Sequence, residues 1–182
     1  MVAGSGTHAD NRLTRRRLRR PSLELAICEV GRDVWALFRP HHYLSGNLHR
    51  ASRCYGAFLD GQLVAFVAVI HFVNRHFKNA KRIHRTVVLP DYQGLGIGNR
   101  LVEAVAGIHR RQGAKVYATT SHPASIHYRA RSPLWRMTRR PSHASLKGNI
   151  ANSCQRLTAS FEYVGSNVLA DRSDCQAAPQ HG

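Results

Sequence analysis

The pattern of apolar and polar positions predicts a series of short strands with helices between them. Alternation over Leu23 to Val30 is typical of a first strand. Two short helices interrupted at Pro40 are expected between Arg32 and Arg53. A β-hairpin should follow, from Cys54 to Leu59 and from Leu63 to Phe72. The Asp60-Gly61 step between its strands is a strong turn signal.

Helical periodicity is clearest over Ile97 to Arg111. Four apolar residues form one stripe there: Leu101, Val102, Val105 and Ile108. Further strands are predicted over Lys115 to Thr120 and over Leu157 to Val164. A second helix should begin at Ala124 to Tyr128, because Pro123 suits a helix entry.

Length and composition indicate one domain with two tails. A chain of 182 residues suits a single core, which we place at residues 22–165. Residues 1–21 are expected to form a disordered basic tail, and residues 166–182 a disordered C-terminal tail. The longest apolar run, Leu63 to Ile70, is too short to cross a bilayer. Four widely spaced cysteines favour reduced thiols in a cytoplasmic protein: Cys28, Cys54, Cys154 and Cys175.

A glycine-rich turn, Gln93-Gly94-Leu95-Gly96-Ile97-Gly98, joins the predicted strand Lys81 to Leu89 to the long helix. Glycine lets the backbone turn tightly and approach a ligand, and a helix N-terminus offers unpaired N–H groups to a phosphate. A Walker loop is excluded because no Gly-Lys-Ser/Thr run occurs. A dinucleotide loop is disfavoured because Asn99 stands where its third glycine belongs and Ala104 to Ser160 contains no acidic residue.

The Gln93 to Gly98 loop, placed directly after Thr86-Val87-Val88-Leu89-Pro90, resembles the Gln/Arg-x-x-Gly-x-Gly/Ala loop of the GNAT N-acetyltransferase superfamily. The resemblance extends over roughly Ser22 to Gly165. It implies an α/β (α+β) single domain with a mixed, mostly antiparallel central sheet, splayed at the acyl-CoA site and flanked by helices. It also implies acetyl transfer from acetyl-CoA to a primary amine.

Carried over to this chain, the resemblance assigns two sets of cofactor contacts. The backbone of Val87 and Val88 would hold the pantetheine arm of acetyl-CoA. The pyrophosphate would be held by the loop and the helix start: Gln93, Gly94, Leu95, Gly96, Ile97, Gly98, Asn99 and Arg100. No metal is expected.

Candidate catalytic groups are less clearly marked. Acetyl transfer needs a base for the amine and an acid for the leaving thiolate. The family's usual strand glutamate is replaced by His84, which is the candidate base, with His71 as the next choice. Tyr128 keeps the place of the family's acid at the end of Ser121-His122-Pro123-Ala124-Ser125-Ile126-His127-Tyr128, although Ser121 replaces the usual Asn. Packing roles for His84 and Tyr128 stay open, and Glu103 is expected to support structure.

The positive charge of the chain suggests a second kind of partner. A net charge of +17 exceeds what one CoA molecule requires. It is concentrated in Arg12 to Arg20 and in a cluster interleaved with Tyr128 and Trp135: Arg129, Arg131, Arg136, Arg139 and Arg140. RNA or DNA contact is therefore expected as an alternative, on a GNAT scaffold that binds nucleic acid or the ribosome, or acetylates an RNA-linked amine. A solvated charged face is the plain alternative, and a homodimer is compatible with the sequence.

Overall fold

Seven strands and three helices make up the computed structural model over the residues it describes, 23–42, 47–73, 77–143 and 157–165. The expected tails, including Arg12 to Arg20, lie outside these residues. The elements in chain order are β1 (Ala26–Val30), α1 (Trp35–Phe38), β2 (Arg53–Leu59), β3 (Gln62–His71), β4 (Ala80–Val88), α2 (Ile97–Arg111), β5 (Lys115–Thr120), α3 (Pro123–Arg131), β6 (Trp135–His143) and β7 (Leu157–Tyr163).

The strands form one mixed sheet in the order β1-β2-β3-β4-β5-β7-β6. Only β4 and β5 are parallel, because α2 carries the chain between them. β3 is buried on both faces from Val64 to Ile70, which explains its continuous apolar run. The hairpin turn is as predicted, with positive φ angles at Asp60 (49°) and Gly61 (78°). These features confirm the expected fold class.

Helices cover the two faces of the sheet unequally. α2 packs its apolar stripe, including Leu101 and Val105, on one face of β2, β3 and β5. The short α1 places Trp35 and Phe38 on the other face, against Phe66 of β3. We refer to these as the α2 face and the α1 face.

The sheet is splayed between β4 and β5. The two strands pair only from Ala80–Lys115 to Ile83–Ala118. On its other edge β5 pairs with β7, from Tyr117 to Thr120, so the β4 pairing ends while β5 continues along β7. Within the described ranges, the β5 side of β4 therefore has no partner strand from residue 84 to residue 88, and the expected opening lies beside Val87 and Val88.

A β-bulge in β4 sets the direction of the side chains at this opening. Ala68 pairs with Arg85 and the next β3 residue, Val69, pairs with Ile83, so His84 is the extra residue. Ile83 packs on the α2 face and Val87 on the α1 face. The bulge lets both His84 and Arg85 face the α1 side, which strict alternation would forbid.

Three sequence expectations need correction. Trp135 to His143 forms a strand, β6, which was not predicted because its run of exposed arginines has no apolar period. Between Arg32 and Arg53 only α1 is α-helical; a 3-10 turn, Arg39–His41, follows it through Pro40, and residues 43–46 lie outside the description. Cys28 is disulfide-bonded, whereas Cys54 is a buried free thiol.

Candidate functional site

The glycine loop adopts a backbone conformation that is unfavourable for residues other than glycine. Gly94 and Gly96 have φ angles of 80° and 83°, in the left-handed region. A Cβ on either residue would meet no heavy atom within 4 Å, so the loop is open on that side. A Cβ on Gly98, in contrast, would lie 3.0 Å from Val88 Cγ2. Gly98 therefore allows α2 to pack closely against β4.

The N-terminus of α2 meets the conditions for an anion site. Gly96 is its N-cap, and no side chain caps the helix. The first backbone bond of the helix runs from the Arg100 N–H to the Gly96 carbonyl, 3.2 Å. The N–H groups of Ile97, Gly98 and Asn99 precede it, and no acidic residue lies in the first turn.

The open edge of β4 presents backbone groups beside this helix end. The Leu89 N–H donates to the Val64 carbonyl on β3, 3.0 Å. Alternation then directs the N–H and C=O of Val87 to β3 and those of Val88 and Thr86 to the opening. The Val88 carbonyl accepts a hydrogen bond from Gln93 Nε2, 3.0 Å, so the Gln93 side chain braces the loop. Of the two valines, Val88 is the one whose backbone faces the gap.

A pocket of about 540 Å³ lies between the start of α2 and α3. Seven residues line it: Asn99, Ala124, His127, Tyr128, Arg131, Ser132 and Pro133. It brings the expected acid Tyr128 and the loop residue Asn99 to one cavity. His127 and Arg131 add cationic or hydrogen-bonding groups to its wall.

The buried carboxylate of Glu103 anchors side chains on the inner wall of this pocket. Glu103 of α2 is 4% exposed and accepts a hydrogen bond from Tyr128 Oη at 3.0 Å. Ser132 Oγ and Trp135 Nε1 donate to its other oxygen, at 3.4 and 3.2 Å. Glu103 thus ties α3 and the start of β6 to α2, in agreement with its expected supporting role. Sequence spacing gave no sign of its contact with Tyr128, because the two residues are on different helices.

Burial changes the proton affinity of two groups around Glu103. Desolvation, with the negative charge of Glu103 as a second cause, raises the pKa of Tyr128. Tyr128 therefore keeps its proton at neutral pH. Desolvation lowers the pKa of Arg129 to about 10, against the attraction of Glu103, so Arg129 stays charged.

The candidate base His84 sits in the bulge of β4. Its Nε2 atom is buried and has no hydrogen-bond partner among the described residues. Desolvation lowers the pKa of His84 to about 4, and the charges of Arg85, Arg82, His49 and His42 act in the same direction. The ring is therefore neutral at pH 7. The next candidate, His71, lies instead in an exposed position at the end of β3.

Only part of the cluster of arginines and aromatics is exposed in the structure. Arg129 is 5% exposed and packs over the ring of Trp135, which is also buried. Neither can stack on a nucleic-acid base, so this part of the expectation is wrong. The other arginines of the cluster remain exposed: Arg131, Arg136, Arg139 and Arg140.

Neither a metal centre nor a membrane helix is found in the described part of the chain. No group of three or more His, Cys, Asp or Glu side chains is arranged to hold a metal there. No helix there is both long and apolar enough to cross a membrane.

The site consists of a strand, a glycine turn and an uncapped helix start beside a splayed sheet. These features define the class of acyltransferase sites that the sequence suggested. The model of the acetyltransferase (GNAT) family matches residues 22–131. The chain therefore belongs to the GNAT acetyltransferase family. A search of curated protein sequences found no match.

Solved structures of this family share the fold. The IAA acetyltransferase from Bacillus cereus is 15% identical, with a TM-score of 0.56, and the match covers 77% of this chain and 99% of that one. The ribosomal-protein-S18-alanine N-acetyltransferase from Escherichia coli is 14% identical, with a TM-score of 0.54 and coverages of 81% and 100%. A GNAT family acetyltransferase from Elizabethkingia anophelis with acetyl-CoA bound is 13% identical, with a TM-score of 0.57 and coverages of 76% and 97%.

Proposed function

We propose that this chain is an N-acetyltransferase that moves an acetyl group directly from acetyl-CoA to a primary amine. The observation that carries the proposal is the open edge of β4 beside the uncapped N-terminus of α2. An extended pantetheine arm can pair with a free strand edge, and a pyrophosphate suits a helix N-terminus. The acetyl-CoA bound to the Elizabethkingia anophelis relative supports the choice of donor.

The donor contacts follow from the directions of the backbone groups. Val88 would pair with the pantetheine arm, and Val87 would contribute packing on the α1 face, since its backbone groups point to β3. The N–H groups from Gly94 to Asn99 would surround the pyrophosphate, since that of Arg100 donates to the Gly96 carbonyl. Leu95 is exposed in this loop, and Gln93 would hold the loop in place through Val88.

Direct transfer needs a proton acceptor and a proton donor. The amine nitrogen attacks the thioester carbonyl carbon, the C–S bond breaks, and the new C–N bond makes an amide. We assign His84 as the base, since its ring is neutral and its buried Nε2 has no hydrogen-bond partner among the described residues. We assign Tyr128 as the group that protonates the departing thiolate, which requires its hydroxyl to turn from Glu103.

Substitution of a loop glycine tests donor binding. Gly96→Val should abolish acetyl-CoA binding, because a branched side chain would occupy the open side of the loop and strain its left-handed backbone. We expect wild-type protein to bind acetyl-CoA with micromolar affinity by calorimetry and to gain thermal stability from it.

Gly113→Val is the matched control. Gly113 has a similar φ angle, 76°, and an equally open Cβ position, but it lies past the other end of α2. Each substitution should cost about 1–3 kcal/mol of stability through backbone strain. Equal affinity for acetyl-CoA in the two variants would remove the loop from the site, and no binding by the wild type would end the proposal.

Exposed arginines favour a second candidate function, contact with a nucleic acid. β6 is the edge strand of the sheet, and Arg136, Arg139 and Arg140 are exposed along it. Such a row suits the phosphates of RNA or DNA. The acceptor amine could then be carried by RNA or by the ribosome, in a monomer or a homodimer.

A further inference from the structure

The α1 face of the β4 bulge gathers imidazole and guanidinium groups. The rings of His49 and His84 meet edge to face, with centroids 6.3 Å apart. His42 meets the ring of Trp35 in the same way, at 5.5 Å, and Trp35 packs on Phe66 of the α1 face. Arg85 follows His84 and faces the same side. We call His42, His49 and His84 the imidazole cluster.

The carboxylates of the described residues lie elsewhere. Glu29 pairs with Arg53 at 2.6 Å. Glu103 is enclosed between α2 and α3, and Glu162 pairs with Arg136 near β6. The remaining acidic residues are exposed on segments between elements: Glu24, Asp33, Asp60 and Asp91. The imidazole cluster therefore lies in a region of positive potential.

Two buried polar groups on this face add hydrogen-bonding capacity. Trp35 is 6% exposed and Ser52 is 8% exposed. Trp35 Nε1 and Ser52 Oγ have no hydrogen-bond partner in the described part of the chain. An indole N–H can only donate and a hydroxyl can donate, so both suit an oxygen anion. Burial of such groups without a partner is costly.

We propose that the acceptor carries a phosphate or carboxylate a few bonds from its amine, and that the imidazole cluster selects for this anion and against polycationic amines. This inference rests on the proposed acetyl transfer. The guanidinium charges of Arg85 and Arg82, which act on His84, also lower the pKa of a nearby amine, so the acceptor is held as the neutral nucleophile. An anion on the acceptor offsets the repulsion that a second ammonium group would meet.

Four small amines of similar length test the selection. They are O-phosphoethanolamine, β-alanine, ethanolamine and 1,3-diaminopropane, each assayed by release of CoA from acetyl-CoA. We expect kcat/KM to be at least about tenfold higher for an anionic amine than for the diamine. The phosphate and carboxylate compounds distinguish the two sources of the anion. Equal rates, a faster diamine, or no turnover of either anionic amine would overturn the inference.

Substitutions at His49 assign the selection to the cluster. Nδ1 of His49 accepts a hydrogen bond from the Ala51 N–H, and Asp or Asn can accept it in the same way. His49→Asp should narrow the preference for the anionic amine about tenfold, and His49→Asn, which removes the imidazole without adding a charge, should narrow it by a smaller factor. His143→Asp, at the exposed end of β6, controls for net charge.

Measurement of acetyl-CoA affinity distinguishes a failure of this inference from a failure of the proposed function. All variants should bind acetyl-CoA like the wild type, because neither His49 nor His143 belongs to the glycine loop, the α2 N-terminus or the Val88 edge that are proposed to hold it. An unchanged preference in His49→Asp with intact acetyl-CoA binding would refute the role of the cluster alone. Absence of acetyl-CoA binding in the wild type would refute the proposed function itself.

Discussion

Glu103 has an unusual place for a carboxylate, since it is buried in the middle of α2, next to Val102 in the sequence. Three donors satisfy its oxygens: Tyr128, Ser132 and Trp135. Arg129, buried beside it, supplies the opposite charge. A buried carboxylate costs several kcal/mol unless it is paired in this way. The contact therefore explains why Tyr128 is held on the inner wall of the pocket.

The two roles of Tyr128 predict different losses in one variant. Tyr128→Phe removes one hydrogen bond to a charged acceptor, which should cost about 1.5–3 kcal/mol of unfolding free energy. If Tyr128 also protonates the thiolate, kcat should fall about 10²–10⁴-fold with KM for acetyl-CoA nearly unchanged. Denaturant unfolding and steady-state kinetics on the same sample measure both.

Ser132→Ala is the control for this prediction, because it removes another donor to Glu103 without touching the proposed acid. It should lower stability and leave kcat near the wild-type value. If Tyr128→Phe behaves in the same way, Tyr128 is a structural residue and the assignment of the acid fails.

At the scale of elements, α2 and β4 are joined where the cofactor is expected. A Cβ on Gly98 would lie 3.0 Å from Val88 Cγ2 and 3.8 Å from Thr86 Cγ2. Gly98→Ala should therefore push α2 from β4, at a cost of about 1–3 kcal/mol, and weaken acetyl-CoA binding. Val88→Ala removes the obstructing methyl group. In the double variant we expect a coupling energy of at least about 0.5 kcal/mol in the favourable direction.

Denaturant unfolding of the four proteins in this cycle, together with acetyl-CoA titration, checks the prediction. If the losses of unfolding free energy in the two single variants were additive, residues 98 and 88 would not be in contact as described. A stable Gly98→Ala protein with weakened binding would instead assign the effect to the helix N–H groups alone.

The elements that sequence predicted are those with local signals. The hairpin at Asp60-Gly61 and the helix from Ile97 to Arg111 each carry their turn or period within the segment itself. The splay, in contrast, arises because β5 leaves β4 after Ala118 while it stays paired, on its other edge, with β7, about forty residues later in the chain. The bulge at His84 depends on the register in which β4 pairs with β3. Neither is encoded in a local pattern, so the resemblance supplied the splay and only the structure supplied the bulge.

At the scale of the whole molecule, the net charge of +17 has to be divided between the site and the surface. Arg85 and the imidazole cluster lie on the proposed acceptor side, and Arg129 is enclosed. The exposed arginines of β6 are separate from both, on the outer strand of the sheet. A polyanion is expected to follow this edge, which leaves the glycine loop open to acetyl-CoA.

Salt dependence of RNA binding tests that division of charge. Arg139→Gln combined with Arg140→Gln should reduce the slope of log K against log salt by about 1.4, because each phosphate contact on a single strand contributes about 0.7. Lys78→Gln combined with Arg111→Gln removes the same charge from exposed positions before β4 and at the end of α2, and should change the slope little. Deletion of residues 1–20 should weaken binding further. If the arginine pair and the control pair reduced the slope equally, only net charge would attract the RNA, and β6 would be a solvated face.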